Sequence, residues 1–189
     1  YPAAFVEASR LDPVALRGSE DAFIDELFAA APAHGAPLLS ALYPRAFVDM
    51  NREAWELDPA MFDGELPHFV NTASQRVSGG LGTIARVVSN GSEIYAHKLP
   101  FAEAERRIRE IYMPYHNALK DLIARTQDAV GCAVVVDCHS MPSIGGPMDE
   151  DKGRQRADII LGDRFGSSCN NVVTDVAEEA FKDMGYSVT

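Results

Sequence analysis

Residues 134–142 read Val-Val-Val-Asp-Cys-His-Ser-Met-Pro, an apolar β-branched run that ends in a carboxylate, an imidazole and a hydroxyl before a proline stops it. Such a run predicts a buried strand. Polar groups just past the carboxyl end of a buried strand occupy the place where open α/β sheets bind ligands. A histidine there can give a ring nitrogen to a metal, and Asp137 could be the carboxylate that orients the ring. The competing reading of His139 is a solvated or capping histidine at a strand end. Adjacent residues on a strand point to opposite faces, so neither Cys138 nor Ser140 is expected to pair with His139 as a nucleophile.

Three more polar clusters could do chemistry. Residues 43–52, Tyr-Pro-Arg-Ala-Phe-Val-Asp-Met-Asn-Arg, bracket a short apolar run with Arg45, Asn51 and Arg52. Guanidinium forks grip carboxylates bidentately and an asparagine adds one donor and one acceptor, so the set suits a small carboxylate substrate. The alternative is surface arginines paired with the chain's many acids. Glu20, Asp21 and Asp25 stand at the start of a predicted helix, where acids complement the helix dipole unless a histidine partner recruits one as a metal ligand. Tyr115-His116 follows Pro114, where His116 either packs, caps or lines a site.

The elements that must position these groups alternate between helical and strand patterns. Phe23, Ile24, Leu27 and Phe28 predict a helix over 20–31, with Ser19 as its N-cap. Residues 38–42 and 46–50 read as short strands separated by Tyr43-Pro44. A Pro-, Asp- and Gly-rich stretch at 53–82 predicts a long irregular excursion with a helical turn or two. A hairpin is expected over 83–95, turning at Ser89-Asn90-Gly91. The longest helical pattern, 101–129, should kink or break near Met113, because Pro114 lacks an amide hydrogen and clashes with the preceding turn. A strand at 132–137, a loop at 143–156, a strand at 157–161 and a helix from about Ser167 to Met184 closed by Gly185 complete an α/β layered domain with a mixed sheet.

Composition narrows the function classes. The 189 residues suit one domain with a proper core, 47% hydrophobic and 24% charged. A net charge of -11, from 17 basic and 28 acidic side chains, argues against nucleic acid or an anionic membrane as the main partner. The three cysteines have no CxxC spacing and point to a reducing compartment, with Cys132 and Cys138 as small buried hydrophobes. There is no GxGxxG, no GxxxxGK[ST] and no GxSxG, and Gly79-Gly80-Leu81-Gly82 reads as a tight turn. The chain opens at Tyr1 without methionine and closes on Ser187-Val188-Thr189 in the style of a strand, so it is expected to be cut at both ends.

Several longer motifs, in order, resemble one family. Asp137-Cys138-His139-Ser140-Met141-Pro142, Ala157 to Arg164, Pro44-Arg45 with Val48 to Arg52, Gly80 to Arg86, and Tyr112 to His116 are similar to the N-formylglutamate amidohydrolase (deformylase) family of histidine catabolism. The resemblance runs the whole length and implies a single amidohydrolase domain over 1–189. Its implied fold is α/β, a mixed sheet flanked by helices of the phosphorylase/hydrolase-like type, similar to the zinc carboxypeptidases. It further implies a cytoplasmic zinc-dependent enzyme that hydrolyses N-formyl-L-glutamate to L-glutamate and formate. His139 matches the family's second zinc histidine. The carboxylate ligand falls in the Glu20–Asp25 segment, with Asp21 favoured by spacing and Glu20 next.

The resemblance makes Arg45 the cation for the oxyanion, Asn51 and Arg52 the grip on a substrate carboxylate, and Arg86 the contact for its other carboxylate. The family's first histidine, in a Pro-His-Ser-Gly segment, would precede Tyr1, and its glutamate base would follow Thr189. A hydrolase for another acyl-amino acid and a non-catalytic anion-binding module remain the alternatives.

Overall fold

Local capping shapes the start of the chain. Helix α1 spans Ala3–Ala8, and α2 spans Pro13–Leu16, where the Asp12 side chain accepts hydrogen bonds from the amides of Val14 and Ala15. The structure is a computed structural model that describes residues 1–146 and 149–189. Its contacts divide into two compact units, Tyr1–Ser140 and Met141–Thr189.

The helix expected over 20–31 is instead one short helix, α3, spanning Ile24–Leu27 and followed by a 3-10 turn at Ala31–His34. Phe23 adopts a left-handed backbone, φ 65°, which no helix interior accommodates. Ser19 does not cap this helix; its hydroxyl accepts the amide of Ser89 at 2.8 Å. Residues 38–42 form no strand, and Ala46 to Val48 wrap into a turn in which the Pro44 carbonyl accepts the amides of Phe47 and Val48. Ala46, Phe47 and Val48 are all buried. A short apolar run marks burial equally well in a strand and in a turn, and here the turn prevails.

The excursion over 53–82 is irregular, as its composition predicts, with a 3-10 turn at Pro59–Met61 and a short helix, α4, at Gln75–Ser78. Single backbone contacts stitch it together: Leu57 to Asn71, Asn71 to Trp55 and Thr83 to Glu56. Gly82 is required here, since a Cβ would lie 2.2 Å from the Glu56 carbonyl oxygen. The 83–95 segment turns at Gly91, with Val88 and Ser92 hydrogen-bonded and an antiparallel bridge between Val87 and Glu93.

The long helical pattern is realised in three pieces. Helix α5, Phe101–Arg107, passes through a π turn at Ile108–Tyr112 into α6, Met113–Val130, which Gly131 ends in a left-handed conformation. The discontinuity falls directly before Pro114, whose missing N–H leaves no α-type bond to lose where the turn has widened. Phe5, Leu16, Phe47, Val48, Leu57, Phe62, Ile84, Val88, Ile94 and Ile108 pack as one core in this unit.

The expected mixed sheet is absent among the described residues, where strand pairing is confined to isolated bridges. Val134, Val135 and Val136 are extended but exposed rather than buried, and they have no strand neighbour among the described residues. Cys132 is exposed with them, against the expectation of a buried thiol, and the cysteines are free. In the second unit, residues 159–161 pair in parallel with 187–189 through Ile159 to Ser187, Leu161 to Thr189 and Thr189 to Ile159 bonds. Helix α7, Asn171–Asp183, connects the pair, capped by the Asn170 side chain and closed by Gly185 at φ 91°. The 143–156 loop is held by Arg156, which pairs with Asp149 and Asp151; its Pro147 and Met148 lie outside the described residues.

One buried cation ties the long helix to the turn at 44–48. Arg107 is 3% exposed, donates to Glu103, to the Phe47 carbonyl at 3.1 Å and to the Tyr95 hydroxyl at 2.7 Å, and sits 3.9 Å over the Phe47 ring. Arg107→Leu should lower the unfolding free energy by about 3 kcal/mol in urea titrations, because it removes the donor to the Phe47 carbonyl and the Tyr95 hydroxyl, while Glu103 keeps its pair with Arg106. Arg109→Leu, which breaks an exposed pair with Glu105, should change it by less than about 1 kcal/mol.

Candidate active site

An extended segment ending at Ser140, the loop before α3 and the turn at 45–52 bring five of the sequence-predicted residues together. Asp21 precedes the left-handed Phe23, and with its backbone outside any helix its carboxylate is free to reach across the fold. One oxygen accepts the backbone amide of Ser140 at 3.1 Å, and the other lies 3.1 Å from His139 Nδ1. On the opposite side of the ring, Nε2 is 3.0 Å from Asp137 Oδ2. The imidazole is thus held between two carboxylates that are separated from each other by more than half the chain.

Arg45 and Asn51 complete the cluster. Arg45 Nε donates to Asp49 at 2.9 Å, and its Nη1 lies 3.4 Å from Asp21 Oδ2. The helical spacing of Arg45 and Asp49 in the turn makes this pairing possible. Asn51 Nδ2 donates to Asp137 Oδ2 at 2.7 Å and stands 3.0 Å from His139 Nε2. Asp49 is buried and also accepts the Asn51 amide at 2.9 Å, so it braces both sides of the turn.

The electrostatics follow from these contacts. The hydrogen bond to Asp137, and then that to Asp21, raise the His139 pKa to about 9 against a smaller opposing effect of burial. Burial pushes Asp21 up, but the His139 bond and the Arg45 charge outweigh it and leave the carboxyl below its ordinary range. Asp137 is lowered chiefly by its bond from His139. Both ring nitrogens then carry hydrogens and the imidazole is cationic at neutral pH. Tyr115, half-buried, has its phenol raised first by burial and then by the Asp137 charge. Cys138 is raised by burial and by Asp137, the opposite of an activated thiol.

The remaining sequence-predicted residues stand differently. Arg52 is largely covered: Nε donates to the Leu81 carbonyl at 3.0 Å, Nη1 to the Asn51 carbonyl at 2.6 Å, and Nη2 lies 3.5 Å from Asp49. Leu81 belongs to the Gly79–Gly82 turn, whose tight geometry is built by the Gly80 to Val77 and Leu81 to Arg76 bonds. Arg86 is paired with Asp58 at 2.6 Å and with Glu93 at 3.3 Å, and no contact joins it to His139. Glu20 pairs with Arg17 at 2.6 Å, leaving Asp21 as the carboxylate on the imidazole.

A metal's donor set is represented in part. Ligand atoms adjacent on a tetrahedral zinc, with bonds of about 2.0–2.1 Å, are roughly 3.3 Å apart. His139 Nδ1 and Asp21 Oδ2, at 3.1 Å, fit that edge. Among the described residues no group of three His, Cys, Asp or Glu side chains could hold a metal ion.

The model of the N-formylglutamate amidohydrolase family matches residues 1–189. The chain belongs to that family. The solved N-formylglutamate amidohydrolase from Ralstonia eutropha JMP134 superposes with a TM-score of 0.87 at 35% identity, over 100% of this chain and 67% of that one. The N-formylglutamate deformylase of Pseudomonas putida is 26% identical over 157 residues, 82% of this chain and 52% of its own length. That of Pseudomonas aeruginosa is 26% identical over 167 residues, 87% of this chain and 56% of its own. The chain thus spans little more than half the length of these two curated relatives. Two of the five motif stretches read from the sequence, those holding Asp137 to Ser140 and Arg45 to Asn51, form the cluster together with Asp21.

The pH dependence has a definite sign. His139 has a folded pKa above its unfolded value, so its stabilising contribution is fully present below about 6.5 and is lost as pH rises through about 9. In metal-free protein, the His139 ring resonances should titrate near 9 by NMR, and thermal stability should fall over that window. Asp137→Asn should move the titration toward 6.5. A His139 that titrates at 6.5 in the unaltered protein would show that the two carboxylates do not hold it.

Proposed function

We propose that the protein hydrolyses the formyl amide of N-formyl-L-glutamate, releasing formate and L-glutamate, at a zinc site to which Asp21 and His139 contribute. The observation that carries the reading is His139 held between Asp21 and Asp137, with Arg45 and Asn51 against it, in a chain matched by the family throughout. Bound zinc would lower the pKa of a coordinated water to about 7 and polarise the formyl oxygen.

The chain's own residues have separable roles. His139 would present Nδ1 to the metal, while Asp137 accepts from Nε2–H and so fixes the tautomer and the ring plane. Asp21 is held for ligation by the Ser140 amide, which leaves its other oxygen directed at Nδ1. Arg45, anchored by Asp49 through Nε, keeps its terminal nitrogens toward Asp21, where a cation stabilises an oxyanion. Asn51 and Arg52 would grip a substrate carboxylate as donors, and Arg86 would attract the second carboxylate from its pairs with Asp58 and Glu93. The base that takes the water's proton is assigned to none of these residues.

The reading extends to architecture and location. In the whole protein the exposed, unpaired run Val134 to Val136 would lie within a mixed sheet flanked by helices, similar to the zinc carboxypeptidases. Three free thiols fit the reducing cytoplasm. No helix among the described residues is long and apolar enough to cross a membrane.

Formate release from N-formyl-L-glutamate by zinc-loaded, full-length protein tests the reading, with N-acetyl- and N-succinyl-L-glutamate as competitors for the assignment. His139→Ala should lose both zinc and turnover. Arg52→Ala should raise KM by roughly ten- to a hundredfold, the worth of a charge-assisted hydrogen bond, with kcat little changed. Preference for an acetyl or succinyl substrate would move the protein to another acyl-amino acid, and glutamate binding without zinc or turnover would make it a non-catalytic module.

A further inference from the structure

The π turn sets the helical phase so that one of its own side chains and one of α6 reach the same three-residue segment. Tyr112, the last residue of that turn, donates its hydroxyl to the Arg52 carbonyl at 2.5 Å. His116, one helical turn later, has Nε2 2.9 Å from the Met50 carbonyl. Their rings pack together with centroids 4.1 Å apart. A carbonyl can only accept, so His116 carries its hydrogen on Nε2 in this contact. The carbonyls on either side of Asn51 are therefore both gripped from the helix, while the Asn51 amide is bound by Asp49 at 2.9 Å.

We propose that His116, braced by Tyr112, is a positioning residue that aims the Asn51 side chain and the Arg52 guanidinium. The inference rests on the proposed reading of Asn51 and Arg52 as the grip on a substrate carboxylate. Asn51 itself shows what positioning must achieve: its Nδ2 is within 3.0 Å of both the Asp137 carboxylate and His139 Nε2. Rotation of the 50–51 peptide would carry that amide away from both. Tyr112 is buried and its ring belongs to the core, so it anchors the arrangement, whereas His116 is only half-buried and its ring nitrogen is the part that acts. Widening the helix by one residue at 108–112 is what brings both side chains to one face of the turn, a use of π turns that recurs beside functional sites.

The test uses the full-length, zinc-loaded protein and two readouts. Side-chain amide NMR of Asn51 should show its resonances displaced in His116→Ala and restored in His116→Gln, whose amide nitrogen replaces the Nε2 donor. In steady-state kinetics with N-formyl-L-glutamate, His116→Ala should raise KM roughly five- to tenfold, the effect of one lost hydrogen bond, with kcat within about twofold and rescue by His116→Gln. Tyr112→Phe removes only a hydroxyl and should displace the same resonances, which keeps the test decisive if His116→Ala does not fold. Unmoved Asn51 resonances and an unchanged KM in folded His116→Ala would overturn the proposal. Displaced resonances together with a parent protein inactive on N-formyl-L-glutamate would uphold the positioning and overturn the substrate instead.

Discussion

A buried guanidinium holds the segment on which the site is built. Arg107 leaves water almost completely, and an unpaired charge in that position would cost several kcal/mol. It is offset on every side: by the Glu103 carboxylate, the Phe47 carbonyl, the Tyr95 hydroxyl, and the faces of Phe5, Phe47 and Tyr95. Phe47 lies between Arg45 and Asp49, so fixing its ring and its carbonyl fixes the turn that presents both. The same helix, one π turn later, takes hold of residues 50–52 through Tyr112 and His116. Site geometry at 45–52 is thus inherited from one helix rather than from a sheet.

Given that frame, the imidazole's surroundings are a matter of charge. Asp21, Asp49 and Asp137 face Arg45, Arg52 and a protonated His139, and the two sides balance. Neutrality of this kind lets three carboxylates coexist within one cluster, with Asp21 and Asp137 both held below their ordinary range. Under the proposed reading, metal ligation requires His139 Nδ1 to give up its hydrogen, so metal affinity and proton release are linked. Under that reading the exchange would replace one positive charge by two and would make the neutral cluster cationic, which would suit the proposed dianionic substrate on a chain whose net charge is -11.

Much of the cluster was legible because its chemistry is written in residue type. Asp137 and His139 close an apolar run, and Arg45, Asn51 and Arg52 crowd one short stretch, whereas Asp21 is singled out from Glu20 and Asp25 only by the family resemblance. Local conformation was less legible. The apolar periodicity of 20–31 is helical, yet the left-handed backbone at Phe23 interrupts it, and this interruption leaves Asp21 outside the helix and able to meet His139. The apolar 46–50 run reads as a strand, yet its buried residues Ala46 to Val48 lie in a turn, because hydrophobicity records what is covered and not how the backbone gets there. The resemblance assigns Arg86 to a second substrate carboxylate, and only the fold brings Asp58 and Glu93 to it.

The helix break illustrates the same limit from the other direction. Pro114 announces a discontinuity near Met113, and one is found, but a proline does not say whether the helix kinks, stops or widens. The outcome matters more than the break. Widening over Ile108–Tyr112 shifts the phase of every later residue relative to Arg107, so a regular α-helix holding Arg107 on Phe47 would turn Tyr112 and His116 to a different face. The buried cation and the Tyr112–His116 pair can serve one continuous segment, Pro44 to Arg52, because the extra residue reconciles their phases. A change that restored regular helical phase would therefore loosen the grip on Asn51 and Arg52 while leaving Arg107 in place, separating the site's aim from the core's stability.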